Sequence, residues 1–173
     1  MVNQPSADSS SAAIEVSDLT RKFGPLVAVD RASFAVPRGH VVGFVGANGA
    51  GKTTTMRMLA TLDSPSSGSA RIGGHDILEY PEEVRKLLGW MPDDYGTYAD
   101  MTGWEYLDFF ARAYGYKGAE RRSRVADVID FTELGEIANR YIDKLSKGMA
   151  QRLCLGRSLI HDPKILIMDE PAA

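Results

Sequence analysis

Cysteine is nearly absent. Cys154 stands alone among 173 residues, which excludes a disulfide framework and a cysteine-built metal cluster and suits a reducing compartment. Long apolar runs are missing as well, and none approaches the roughly 20 residues that a membrane-spanning helix needs. Residues 1–13 carry neither the basic segment nor the apolar core of a secretory leader. There is no excess of positive charge: 20 Lys and Arg against 23 Asp and Glu leave a net charge of −3. This balance removes any global electrostatic pull toward nucleic acid or an anionic membrane surface. The expected compartment is therefore the cytoplasm, nucleic acid is not an expected partner, and contact with a membrane is expected to run through another protein. Arg121, Arg122 and Arg124 form the densest basic cluster and read as the solvated face of a helix.

What is present is the composition of one globular domain, 44% hydrophobic and 25% charged. Residues 1–13, rich in Ser and Ala, read as a disordered tail, and the fold is expected to occupy 14–173. Alternating segments at Ile14–Val16 and Val27–Val36 suggest half-buried strands, and the continuous run Val41–Val45 suggests a strand covered on both faces. A helix is expected from Lys52 to Leu62, stopped by Asp63-Ser64-Pro65. The polar stretch Ser66–Asp76 has Gly73-Gly74 as hairpin turn residues. Pro81 opens a short helix, followed by a strand at Leu88–Met91. Thr102 and Glu105 have capping-box spacing ahead of an amphipathic helix, and a second is expected from Arg121 to Phe131. Ser146 caps a third, running to about Ile160, before a buried strand at Lys164–Met168. Strands flanking helices point to an α/β sheet, with a helical insertion at about 102–142.

Gly46-Ala47-Asn48-Gly49-Ala50-Gly51-Lys52-Thr53 matches the phosphate-binding loop pattern in full. Its glycines let successive backbone N–H groups converge on phosphate oxygens, and the following helix adds positive potential. Lys52 can reach the β and γ phosphates, and Thr53 can ligate magnesium. In Ile165-Leu166-Ile167-Met168-Asp169-Glu170 an apolar strand ends in two carboxylates. That is the end at which open α/β sheets bind ligands. Asp169 suits the magnesium shell and Glu170 the attacking water.

A third motif, Leu145-Ser146-Lys147-Gly148-Met149-Ala150-Gln151-Arg152, lies just before that strand. With it the sequence resembles the ABC (ATP-binding cassette) ATPase family over about 14–173, and is similar to the bacterial export-type branch of transporter ATP-binding subunits. The resemblance implies a P-loop NTPase fold with a mostly parallel core sheet, an N-terminal antiparallel β subdomain and a helical subdomain at about 102–142. It implies ATP and Mg2+ as ligands, with Gly46 to Thr53 and Thr54 on the nucleotide and Phe23 stacked on adenine; Phe23 taken alone reads more readily as a core residue. Glu170, Lys52 and Asp93 would be catalytic, and Thr53, Asp93 and Asp169 would hold the metal, partly through water. Ser146, Lys147, Gly148 and Met149 would bind the ATP of a second subunit, in a homodimer or heterodimer.

An integral membrane permease would be the further partner, placing the subunit at the inner face of the cell membrane. The aromatic stretch Tyr95–Tyr106 would dock it, or would simply fill the core of the helical insertion. Three departures stand out: Lys147 where Gly is usual, Met149 where Gln is usual, and Asp93 where Gln or Glu is usual. His40, His75 and His161 all precede Asp169 and so cannot be the family's switch histidine. The family continues past this point into another strand, so the resemblance implies a chain truncated after the Asp169-Glu170 motif. On its own this stretch is expected to lack turnover and cooperative unfolding. Two alternatives remain: a nucleotide-binding fragment without turnover, and a soluble ABC ATPase that serves no transporter.

Overall fold

The computed structural model describes residues 12–93, 96, 98 and 100–170. The expected tail lies outside these except for Ala12 and Ala13, which already belong to the first strand. Tyr95 and the segment 171–173 also lie outside. The chain divides into two compact units, Met1–Leu87 and Leu88–Ala173.

The first unit is built on a four-stranded antiparallel sheet in the order β2-β1-β3-β4. Its strands are β1 (Ala12–Phe23), β2 (Leu26–Pro37), β3 (Ser67–Ile72) and β4 (His75–Asp76). Ile14 pairs with Val36 on one side and with Ile72 on the other, so β1 is the central strand. The register shifts between Val16 and Leu19, where Asp18 takes a positive φ of 48° and its N–H donates to Ser33 Oγ at 2.9 Å. Such a bulge bends the strand without losing the ladder on either side. The hairpin at Gly73-Gly74 is present as expected, with positive φ at both residues. Helix α1 (Lys52–Leu59) packs on β2 and β3 and buries Met58 and Leu59. Helix α2 (Pro81–Leu87) packs beside β4 and buries Val84.

Two expectations fail in this unit. Residues 40–47 have no regular structure, so the strand expected at Val41–Val45 is not formed, and Val45 is 95% exposed. A strand is held by a neighbour that satisfies its backbone groups, and no described strand pairs with this run. Helix α1 also ends at Leu59 rather than Leu62. Thr61 turns left-handed (φ 58°), and the Leu62 and Thr61 amides bond back to the Arg57 and Met58 carbonyls at 2.9 and 3.0 Å. This is a Schellman closure with threonine where glycine is commoner.

The second unit pairs two parallel strands, β5 (Leu88–Met91) and β6 (Ile165–Met168), in the register Leu88↔Ile165 to Met91↔Met168. Helices α3 (Gly103–Ala113), α4 (Gly118–Phe131) and α5 (Lys147–Leu159) enclose a core that includes Leu107, Val125, Leu134, Leu153 and Ile160. Helix α4 starts three residues before Arg121. Two arginines of the basic cluster turn inward instead of forming a solvated face. Arg121 Nε binds the buried Asp108 at 2.6 Å, and Arg124 donates to the Ile160 and Leu159 carbonyls at 2.7 and 2.6 Å. Arg122 stays exposed. No helix among the described residues is long and apolar enough to cross a membrane.

Candidate nucleotide site

The loop Gly46–Gly51 leads directly into α1, and Gly51 is the residue before its first turn. Gly51 has φ of 82°, and a Cβ there would strike the Ala28 carbonyl and come within 2.9 Å of Val29 Cγ2. Only glycine meets both demands, the left-handed backbone and the close approach to β2. Gly49 is left-handed too, with φ of 80°. The Lys52 ammonium folds back over the loop and donates to the Gly46 and Ala47 carbonyls at 2.9 and 3.0 Å. The Ala50 amide bonds the Ala47 carbonyl at 3.1 Å, which tightens the turn. Residues 46–50 and Thr53 are exposed, Thr54 is half-buried, and Thr55 is buried with its hydroxyl donating to the Gly51 carbonyl at 2.8 Å. A cationic tip, left-handed glycines and a helix N-terminus therefore share one short segment, the arrangement that receives phosphate.

Phe23 closes β1 and is half exposed, with the Arg21 guanidinium 4.4 Å from its ring centre. It is thus no core residue. A ring open on one face can stack on a planar base.

In the second unit, the parallel register sends the ends of β5 and β6 the same way. The Asp169 amide donates to the Met91 carbonyl at 2.9 Å, extending the ladder by one residue. Asp93, two residues beyond β5, and the Asp169-Glu170 pair therefore emerge from one end of the sheet. Asp169 is 2% exposed, and its Oδ2 is buried with no hydrogen-bond partner among the described residues. An orphaned carboxylate oxygen of this kind calls for a cation or a water. It fits magnesium, a hard ion that takes oxygen ligands and keeps most of its waters. No cluster of three or more His, Cys, Asp or Glu among the described residues could hold a metal by itself. Glu170 is exposed and has φ of 47°, a strained backbone for a residue with a side chain.

Ser146 caps α5, its Oγ accepting from the Met149 amide at 3.3 Å. Lys147, Gly148 and Met149 form the first turn, so their amides lie at the open, electropositive end of a helix of 13 residues. Gln151, one turn further, donates through Nε2 to the Glu170 carbonyl at 3.5 Å. This contact links the capped helix to the strand end. Sequence alone does not reveal it, because the residues are 19 apart and neither has a periodic reason to meet the other.

Lys52 and Thr53 belong to one unit, and Asp93, Asp169, Glu170 and Ser146 to the other. Comparison with known proteins draws on both. The sequence profile of the family described as ABC transporter matches residues 29–173. The "Probable multidrug ABC transporter ATP-binding protein YbhF" of Escherichia coli (strain K12) is 39% identical over 160 residues, 92% of this chain and 28% of that protein. The "Xylose/arabinose import ATP-binding protein XacJ" of Haloferax volcanii is 38% identical over 159 residues, 91% of this chain and 41% of that protein. A solved ATP-binding subunit of an ABC transporter matches with a TM-score of 0.81 at 30% identity, covering 92% of this chain and 67% of that one. The chain thus spans between about a quarter and two thirds of the length of these relatives. Since the profile begins in β2 and runs through the phosphate loop, the capped helix and the paired carboxylates, this chain belongs to the ABC transporter family.

Proposed function

We infer that this chain belongs to the ATP-binding and ATP-hydrolysing motor subunit of an ABC transporter, whose partner is an integral membrane permease. The observation that carries this reading is the phosphate loop, whose lysine already folds over its own carbonyls at the start of α1. Arriving phosphate oxygens would take the ammonium from those carbonyls, an ion–dipole contact replaced by a full ion pair. Thr53 and Asp169, with Asp93 through water, are the residues that would hold magnesium, whose charge would offset that of the β and γ phosphates. Glu170 would accept the proton of the attacking water, and Phe23 would support the adenine.

Ser146, Lys147, Gly148 and Met149 would offer their helix end to the ATP of a second subunit, so the working unit is a dimer of ATP-binding subunits. The region 102–142 would form the helical subdomain that meets the permease, holding the protein peripherally at the cytoplasmic face of the membrane. Export is the direction suggested by the Lys147 and Met149 variant of the capped motif. Relatives are named for both multidrug transport and sugar import.

A second reading, nucleotide binding without turnover, is favoured by one feature. Val41–Val45, which leads into the phosphate loop, is exposed and pairs with no described strand. A loop so weakly anchored can still bind phosphate, but it holds the reacting groups less firmly.

One experiment separates these readings. Wild-type and Glu170→Gln proteins are affinity-purified from detergent-solubilised membranes and assayed for ATP binding and phosphate release. The motor reading expects both to bring down an integral membrane protein and to bind ATP, with turnover lower by about a hundredfold in the variant. Binding without turnover in the wild type selects the second reading. Recovery with ribosomes or DNA instead of a membrane protein overturns the partner assignment.

A further inference from the structure

His161 lies just past the end of α5, outside the nucleotide site, and is held on two sides. Its Nε2 bonds the Leu88 carbonyl, the first of β5, at 3.1 Å. Its ring stacks flat on Tyr114, which caps the end of α3, with 4.2 Å between centres and 10° between planes. Its Nδ1 is buried with no hydrogen-bond partner among the described residues. A carbonyl can only accept, so Nε2 carries a proton, and with no acceptor facing Nδ1 that nitrogen holds the lone pair of a neutral ring.

We propose that His161 is a pH-gated positioning residue: its neutral ring ties the start of β5 to the ends of α3 and α5, and protonation releases that tie.

The surroundings have little tolerance for a second ring proton. An Nδ1–H would be a buried donor without an acceptor, the costly half of a hydrogen bond. The charges acting on the ring are those of Arg124 from α4 and Asp162 from the following turn. Asp162 is already shared, at 3.8 Å with Arg124 and 3.0 Å with Lys164. Arg157 of α5 lies near Tyr114 and adds positive potential on that side. Burial pushes the His161 imidazole below its ordinary value of 6.5, and Arg124 pushes the same way, while the Leu88 carbonyl and Asp162 oppose them. The Tyr114 face would favour an imidazolium, since a ring face attracts cations, yet burial prevails. Burial also raises the Tyr114 phenol, which therefore stays neutral throughout the window in which His161 titrates.

The tie matters because β5 lies directly on the end of α5. A Cβ at Gly89 would strike the Ser158 carbonyl and come within 2.8 Å of Leu166 Cδ1. A protonated ring keeps its Nε2–H, so the tie is lost when the ring swings out to give the new Nδ1–H a water, which frees the N-terminal end of a four-residue strand whose other end leads to Asp93. The sign follows from linkage: the released state binds the proton more tightly than the closed one. The tie is therefore complete above pH 6.5 and weakens as the pH falls below it.

The test is a titration of the ring nitrogens of 15N-labelled His161 in the full chain, with amide exchange of Gly89 and Trp90 read at pH 7.5 and 5.5 and corrected for intrinsic rates. His40 and His75 give separate signals. His161 should titrate below 6.5, and protection in β5 should fall at least about threefold over this range. His161→Gln keeps an N–H for the Leu88 carbonyl but cannot titrate, so its protection should stay flat. Titration of His161 at or above 6.5, or an equal loss of protection in His161→Gln, overturns the proposal. If that variant fails to fold, the wild-type titration decides alone.

Discussion

Asp108 accepts two arginines, Arg112 Nε at 2.7 Å and Arg121 Nε at 2.6 Å, but these stand in different solvent. The Arg112 side chain is 61% exposed and that of Arg121 only 20%, while Asp108 keeps 5%. Distance alone would rank the two pairs as equal, and burial separates them. Arg112→Ala removes a screened surface contact and should cost less than about 1 kcal/mol. Arg121→Ala leaves a buried carboxylate with one exposed partner and should cost about 2 kcal/mol, short of the roughly 3 to 5 seen for fully buried pairs. Denaturant midpoints of the two variants check this ordering, and equal losses would contradict it. The same principle explains why the basic cluster reads as a solvated face in sequence and yet turns inward at Arg121 and Arg124. A run of arginines shows its charge in sequence, whereas Asp108 lies 13 positions away and the carbonyls of Leu159 and Ile160 more than 30. Lys52, Asp169 and Ser146 were legible because each stands in a motif whose neighbours supply the backbone geometry. Their contacts are local, and local contacts are what a sequence pattern records.

Helix ends carry much of the local order. Helices α1, α3 and α4 all close with a Schellman pair of backbone bonds, pivoting on Thr61, Gly115 and Glu133 at positive φ. Glycine marks such an end in sequence, whereas threonine and glutamate do not, which is why the end of α1 was placed three residues late. The start of α3 was readable because its capping box is reciprocal. Thr102 Oγ1 accepts from the Glu105 amide at 3.3 Å, and the Glu105 carboxylate accepts from the Thr102 amide at 2.8 Å. Thr102→Ala should destabilise the protein by about 1 kcal/mol at neutral pH. The Thr102 amide bond and then its hydroxyl hold the Glu105 carboxyl below its ordinary value of 4.5. This contribution is thus complete above pH 4.5 and is lost as the pH falls through the lowered value, so the penalty of the variant should shrink in acid. Thermal melts at pH 7 and pH 3.5 check the trend, and an equal penalty at both would contradict the capping box.

At the scale of the molecule, the residues proposed for the nucleotide fall in two compact units. The first holds the phosphate-loop motif and the half-exposed Phe23, the second the paired carboxylates and the capped helix. Period and turn chemistry made the elements legible, but they could not show that Val41–Val45 stays exposed. An apolar run announces burial only where a neighbouring strand covers it, and that condition is set by topology rather than by the run. The loop that follows is nonetheless shaped by its own residues, with Gly51 pressed against β2 and Lys52 folded over Gly46 and Ala47. The account therefore predicts that phosphate recognition survives in this chain although the approach to the loop is unpaired. Calorimetric titration of Mg-ATP into wild-type and Lys52→Ala proteins tests this most directly. Saturable binding by the wild type, weakened at least about tenfold in Lys52→Ala as a charge-assisted phosphate contact of roughly 1.5 to 3 kcal/mol is lost, is the predicted result; equal affinities for the two proteins would contradict it.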